Sequence, residues 1–312
     1  MSEVKAGIGG EHYQPYAERT GGESVVFFTR DLSAEGLKKA YAAIQGNLTG
    51  KVAVKLHTGE QNGPNIIPRP WVKSLMEQIP NSTIVETNTY YEGDRYTTAQ
   101  HRETLKINGW TFCPVDIMDE DGAAALPVKN GKWFTEMHVG SHQLNYDSML
   151  VLAHFKGHPA GGYGGALKQL AIGCASRAGK ALIHSGGRTD DRFETWKLHA
   201  DNTVFPEAMA DAASSVTAHF KGKIAFINVM KNLSVDCDCC AVAEDPCMRD
   251  IGILASLDPV AIDQACIDLV SGSDDPGREY FMERVNSRNG IHTIEAAAAL
   301  GMGQQEYELI ER

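Results

Sequence analysis

The sequence predicts an α/β fold: a largely parallel sheet, or sheets, covered by helices on both faces, with room for two α/β subdomains. Three observations carry that prediction. Short apolar runs rich in β-branched residues alternate with segments of helical spacing along the 312 residues. The runs are continuously apolar, as expected of strands buried on both faces. No short-period repeat or low-complexity tract interrupts the pattern.

The elements follow in chain order. Residues 1–22 read as a loose, Gly-rich entry segment without the basic and apolar regions of a secretory signal. Ser24–Arg30 is a buried strand, and Ser33 is placed to cap a helix from Ala34 to about Gln45. Lys51–His57 is a second strand, followed by a turn-rich loop and a helix over Trp71–Gln78. Ser82–Asn88 is a third strand, Thr97–Asn108 a helix, and Thr111–Asp116 a fourth strand. Asp119–Trp133 reads as loops and a hairpin turning at Lys129–Lys132.

Met149–Phe155 is a strongly apolar strand leading into a Gly-rich loop and a helix over Gly165–Ile172. Pro206–Phe220 is helical, and Lys223–Met230 is another buried strand. After a cysteine-rich loop come strand Ile251–Ser256 and helix Asp258–Ser271, with Asp258 as N-cap and Pro259 in the first turn. Short helices at Arg278–Ser287 and Thr293–Leu300 close the chain. The irregular stretch near 117–140 is the candidate boundary, giving subdomains 23–140 and 141–312, the second carrying the Gly-rich loop and the cysteines.

Composition excludes several classes of function. The apolar fraction of 43% suits a globular core, and no apolar run reaches the ~18 residues of a membrane span. Net charge is -11 with dispersed Lys and Arg, which argues against nucleic acid. An anionic substrate would therefore need a local positive pocket. Seven cysteines without an export signal point to a reducing, cytoplasmic setting, where disulfides are rare.

Four of those cysteines, Cys237, Cys239, Cys240 and Cys247, fall in one short loop with spacing C-x-C-C-x6-C. Zinc fingers use C-x2-4-C pairs, and adjacent Cys239 and Cys240 sit awkwardly on one tetrahedral ion. A cluster offers several irons, each taking one thiolate, so the spacing favours iron–sulfur over zinc or a metal-free loop. Cys174, in a second Gly-rich stretch, can complete the set. Cys113 and Cys266 read as small buried hydrophobes.

The strand ends are chemically loaded. Lys55 and His57 end one strand; Asn88 and, beyond it, Arg95 follow another; His154, Lys156 and His158 follow a third. In open α/β sheets ligands sit beyond the carboxyl ends of strands, so these groups are expected to share a cleft. His57, His158 and His184 are acid–base candidates or hydrogen-bonded structural histidines. The stretch from Phe155 to Lys168 has anion-binding context, with Lys156, Lys168, Arg177 and Lys180 as cations, or is a tight turn needing glycine.

Jointly, KVAVKLHTGE, VETNT, HFKGHPAGGYGGALKQLAIGCASRAGK, DCDCC and DIGILASLDPVAIDQA resemble an uncharacterised microbial family of Fe–S centre proteins, domain of unknown function 362. The resemblance runs from about Val25 to Val270. It implies a cytoplasmic protein with Fe–S chemistry and no agreed reaction. It also highlights Lys55, His57, His154, Lys156, His158, Lys168, Cys174, Cys237, Cys239 and Cys240.

The expected function is an oxygen-sensitive enzyme with an iron–sulfur cluster, expected as 4Fe–4S, whose open iron serves reduction, elimination or dehydration of a small anionic substrate. Such an oxidoreductase or lyase would draw metal ligands from Cys174, Cys237, Cys239, Cys240 and Cys247. Its catalytic candidates are His57, His158, Lys156 and Lys55; its substrate-binding candidates are Lys168, Arg177, Asn88 and Arg95. A ferredoxin-like electron donor and a homodimer are compatible with this reading; nucleic acid and membrane are not expected partners. The alternatives are an electron-transfer or cluster-carrier protein with a fully ligated cluster, and a zinc-dependent hydrolase.

Overall fold

The computed structural model describes residues 24–312. The entry segment expected at 1–22 lies outside the described residues. The first half runs β1 (Ser24–Thr29), α1 (Ala34–Ala42), β2 (Val52–Lys55), α2 (Arg69–Met76), β3 (Ser82–Glu86), α3 (Thr98–Ile107) and β4 (Val115–Ile117). A hairpin of β5 (Ala123–Pro127) and β6 (Glu136–Gly140) follows. Then come β7 (Ser148–His154), the small hairpin β8 (Lys156–His158) and β9 (Gly162–Gly164), α4 (Ala166–Cys174), α5 (Arg177–His184) and α6 (Arg192–Thr195). The last third is α7 (Val204–Phe220), β10 (Ile224–Met230), β11 (Gly252–Ser256), α8 (Pro259–Ser271), α9 (Arg278–Ser287), α10 (Ile291–Ala299) and β12 (Tyr307–Glu311).

Eight strands form one sheet in the order β12-β1-β11-β10-β7-β2-β3-β4. All neighbours are parallel except that β11 runs antiparallel to both β1 and β10. The fold is thus α/β with a mostly parallel sheet. Strands from both sides of residue 140 contribute to it. The reversal of β11 follows from its connection: no helix carries the chain across the sheet after β10, so the cysteine loop returns it at the edge where β10 ends.

Both faces are covered. Val52, Val54, Ile84, Leu150 and Leu152 pack with Leu37, Val72, Leu75 and Leu105 from α1, α2 and α3. The alternate residues Ala53, Val85, Met149 and Val151 pack with Leu167, Leu170, Ala208 and Val260 from α4, α7 and α8. This double burial is why the strands read as unbroken apolar runs. No helix among the described residues is long and apolar enough to cross a membrane.

Local signals account for the element starts. Ser33 accepts the Gly36 N–H at 3.2 Å, and Asp258 accepts those of Val260 and Ala261 at 2.8 and 2.9 Å. Helix α4 has no cap of its own. Asp263 from α8 accepts the N–H groups of Ala166 and Leu167 at 2.8 and 3.0 Å. A Cβ at Gly165 would lie 2.4 Å from Asp263 Oδ1, so this glycine admits the carboxylate. The start of α4 is therefore occupied by protein, which corrects the expectation that it offers free N–H groups to an anion. Other differences are local. The fourth strand starts at Val115 instead of Thr111, and α5, α6, β8, β9 and β12 were not expected.

A candidate metal centre beside a cationic cavity

The carboxyl ends of β2, β3, β7 and β10 lie at one edge of the sheet, where the cysteine loop between β10 and β11 also sits. Beside it is a cavity of about 310 Å³ lined by Lys55, His57, Glu86, Arg95, His158, Lys168, Gln169, Lys180, His184 and Cys239, among others. Tyr90 and Trp196 form a stacked aromatic wall with ring centres 5.8 Å apart. Seven of the ten named residues are lysine, arginine or histidine, a basic pocket in a chain of net charge -11.

The cysteine loop is pinned from three directions. The Asp238 carbonyl accepts the Glu60 N–H at 3.1 Å. Its carboxylate pairs with His154 Nδ1 at 2.9 Å and Lys156 Nζ at 3.0 Å, with all three side chains buried. Gly157 lies so close that a Cβ there would meet the Val235 carbonyl oxygen at 2.3 Å. Burial alone would raise the Asp238 carboxyl; the charges of His154 and Lys156 outweigh it and hold the group well below the usual range.

Asp238 thereby fixes Cys237 and Cys239 on either side of it. One donor atom from each of His57, Cys237 and Cys239 lies within 4.8 Å of the others. Two ligands on one tetrahedral ion with bonds of ~2.0–2.3 Å sit about 3.5–3.8 Å apart, so this group can hold a single metal ion after small movements. Cys240 adjoins it: its N–H bonds the Cys237 carbonyl at 2.8 Å, and its side chain contacts the Cys239 thiol.

The Cys237 sulfur is surrounded by donors. Cys239 donates to it, Lys168 Nζ lies at 3.7 Å, and both His57 and His158 hydrogen-bond to it. His57 Nδ1 accepts the Gly59 N–H at 2.9 Å, and His158 Nδ1 accepts that of Gly161 at 2.9 Å. In this arrangement the proton of each neutral ring rests on Nε2, which can donate to sulfur; for His57 to ligate a metal through Nε2, that proton must move to Nδ1, which lies 3.9 Å from Glu86 Oε1. The Cys239 contact first, then Lys168, Lys156 and His158, overcome the burial that would raise the thiol, and hold Cys237 well below its ordinary range. These contacts favour the thiolate, the form that binds metal.

The remaining expected residues sort by geometry. Lys55 holds Glu86 at 2.7 Å, and Arg95 holds Glu60 at 2.6 Å; all four are buried. Lys156 serves Asp238 and is absent from the cavity wall. Asn88 bonds Asp119 and Thr98, and Arg177 stacks over Tyr96 at 4.4 Å; neither lines the cavity. Cys174 is buried at the end of α4, where burial pushes its thiol up to about 12; its charged neighbours are Lys55, Lys180 and Glu86. Cys247 donates to the Leu233 carbonyl at 3.2 Å and is not in the donor group.

Glu60, Glu86, Asp238 and Gln169 were missed by the sequence reading. A carboxylate inside the apolar run STIVE was a usable signal for Glu86, because buried charges are paired. Nothing local marks the others.

A family model described as a domain of unknown function, DUF362, matches residues 52–268, more than half of the chain. The chain belongs to this family. No curated protein matches the DUF362 chain. Solved structures that resemble it distantly include the following two. The lactate racemase apoprotein from Thermoanaerobacterium thermosaccharolyticum is 14% identical with a TM-score of 0.42, and the match covers 68% of this chain and 51% of that one. A Thermotoga maritima protein is 11% identical with a TM-score of 0.39, covering 86% and 59% respectively. The DUF362 chain thus spans little more than half the length of either.

Proposed function

We propose that this DUF362 protein is a metal-dependent enzyme that acts on a small anionic molecule, with the ion held by Cys237, Cys239 and His57. The observation that carries the reading is the convergence of two sulfurs and one imidazole beside a cavity rich in cations. Soft thiolates with one imidazole suit a borderline ion such as zinc or ferrous iron, and three protein ligands leave a position for substrate. Bound there, the ion would supply Lewis-acid chemistry. The chain's own residues bind and orient: Lys168 attracts the anion, and Tyr90 and Trp196 flank it. His158 holds a proton on the nitrogen that faces Cys237. Seven unpaired cysteines support a reducing, cytoplasmic setting.

A second reading keeps the iron–sulfur cluster. It is favoured by Cys240, a third thiol against Cys239. Cys237, Cys239 and Cys240 would then each take one iron of a 4Fe–4S cluster, with an electron donor required for redox turnover.

Metal and acid-labile sulfide in anaerobically purified protein test both readings. One ion per chain without sulfide, lost in Cys237→Ser and Cys239→Ser but kept in Cys247→Ser, is the expected result. Iron and sulfide in similar amounts, lost also in Cys240→Ser, would select the cluster. Protein without metal would defeat both.

A further inference from the structure

Lys180 is the cavity lysine that the metal chemistry leaves unused. It stands on α5, lines the cavity and is 6% exposed. Its nitrogen reaches two acceptors, Thr87 Oγ1 at 2.5 Å and the Ala175 carbonyl at 2.6 Å. Thr87 gives its own proton to the Gly173 carbonyl at 3.1 Å, so its oxygen is left to accept from Lys180. Both partners are neutral. Among the described residues no carboxylate lies within ion-pair distance of this nitrogen, whereas Lys55 and Arg95 on the same wall each hold a glutamate.

That geometry has a chemical consequence. Two neutral acceptors use the two N–H bonds of an amine and leave the third tetrahedral position, the lone pair, for the cavity. An ammonium there would carry an unpaired charge, which a buried site disfavours. Gln169 points to an oxygen-bearing ligand in the same space: it lines the cavity, is 3% exposed, and its Nε2 has no partner.

We propose that Lys180 is an amine nucleophile that captures the carbonyl carbon of a small oxo compound carrying an anionic group, with the Gln169 amide donating to one of its oxygens. The requirement for an anionic group rests on the cavity reading above; the amine chemistry does not depend on the metal. The nitrogen lone pair forms the N–C bond while the C=O pair moves onto oxygen, giving a carbinolamine. The C–O bond then breaks, and the oxygen leaves as water with the two protons the amine carried. The product is a neutral imine, and no oxidant or reductant is consumed.

The protonation state supports the assignment. Burial lowers Lys180 to about 7, with Lys55 and Arg95 acting in the same direction and Asp119 and Glu86 opposing them. His101 and the Cys174 thiol are further titratable groups in its field. Near neutral pH much of the population is therefore unprotonated and reactive, unlike an exposed lysine with a pKa of ~10.4.

The test uses the full chain with pyruvate and sodium borohydride near neutral pH, read by intact mass and peptide mapping. One reduced adduct per chain on Lys180 is expected, lost in Lys180→Arg and at least about tenfold weaker with acetone, which has the ketone but no charge. Cyanate, which carbamoylates neutral amines, provides a readout on the unaltered protein. Lys180 should react at least about tenfold faster than surface lysines at neutral pH. Adducts confined to surface lysines, or cyanate labelling of Lys180 with no trapped pyruvate, would overturn the proposal. Metal is measured on the same sample. Adduct formation in metal-free protein would leave this inference standing while the metal reading falls; metal-bearing protein without adduct would remove this inference alone.

Discussion

Replacing Asp238 by Asn removes the carboxylate shared by His154 and Lys156 while keeping its shape. Lys156 is 1% exposed and has that carboxylate at 3.0 Å, so the variant leaves a buried ammonium without its ion-pair partner. Breaking a buried pair on one side costs about 3–5 kcal/mol. At roughly 2–4 °C per kcal/mol for a chain of this size, the melting temperature should fall by about 6–20 °C. Thermal unfolding followed by circular dichroism under argon reads this directly. Asp238→Asn combined with Lys156→Met, which removes the orphaned charge, should recover more than half of the loss. The acid dependence follows from the depressed carboxyl. Asp238 stabilises the fold fully above its unfolded value of ~3.9, and that contribution disappears as pH falls through the lower folded value. The gap between wild type and variant should therefore close in acid. A loss below about 1 kcal/mol, or a double variant no better than the single one, would refute the claim that this pair pins the cysteine loop.

Gly157→Ala tests the same loop from the other side. The added Cβ meets a backbone oxygen of Val235 at 2.3 Å, so the strand and the loop must part; a loss of about 1–3 kcal/mol by denaturant unfolding, with weakened metal retention, is expected. His142 sits between Asp116 and Asp121 at 2.8 Å from each. The Asp116 hydrogen bond foremost, aided by Asp121, raises its imidazole above the usual value. Its stabilising contribution is present below ~6.5 and is lost as pH rises through the folded value. An NMR titration should place the His142 midpoint above that reference and show it falling in Asp116→Asn; a wild-type midpoint at or below the reference would contradict the pairing.

Much of the fold was legible because burial on both faces writes itself into sequence as unbroken apolar runs such as SMLVLAH and IAFINVM. The caps at Ser33 and Asp258 were legible for the local reason that their side chains serve N–H groups two or three residues on. Helix α5 was missed because RAGKALIH carries a buried lysine and histidine on what would otherwise be an apolar face. Its one local sign was Ser176, which accepts the Gly179 N–H. The direction of β11 was not legible, since it depends on where a loop returns rather than on strand composition.

At the site, basic residues collecting at strand ends were visible along the chain, and Lys55, His57, His158 and Arg95 do line one cavity, with Lys168 of the Gly-rich stretch beside them. Their carboxylate partners were not visible, because the Lys55–Glu86 and Arg95–Glu60 pairs join separate elements through tertiary contact. Counting cysteines also concealed a distinction. Cys237 and Cys239 meet across Asp238, whereas Cys247 turns its thiol to a carbonyl. Adjacency of Cys239 and Cys240 suggested a cluster; in three dimensions Cys239 hydrogen-bonds both Cys237 and Cys240, and His57 joins the C-x-C pair.

X-ray absorption at the edge of the bound metal, recorded on anaerobically purified protein, tests the central claim most directly. The account predicts a mononuclear ion whose nearest shell fits two sulfurs at ~2.3 Å and lighter atoms at ~2.0–2.1 Å, one of them an imidazole nitrogen. A shell without sulfur, or a short metal–metal vector with bridging sulfide, would contradict it.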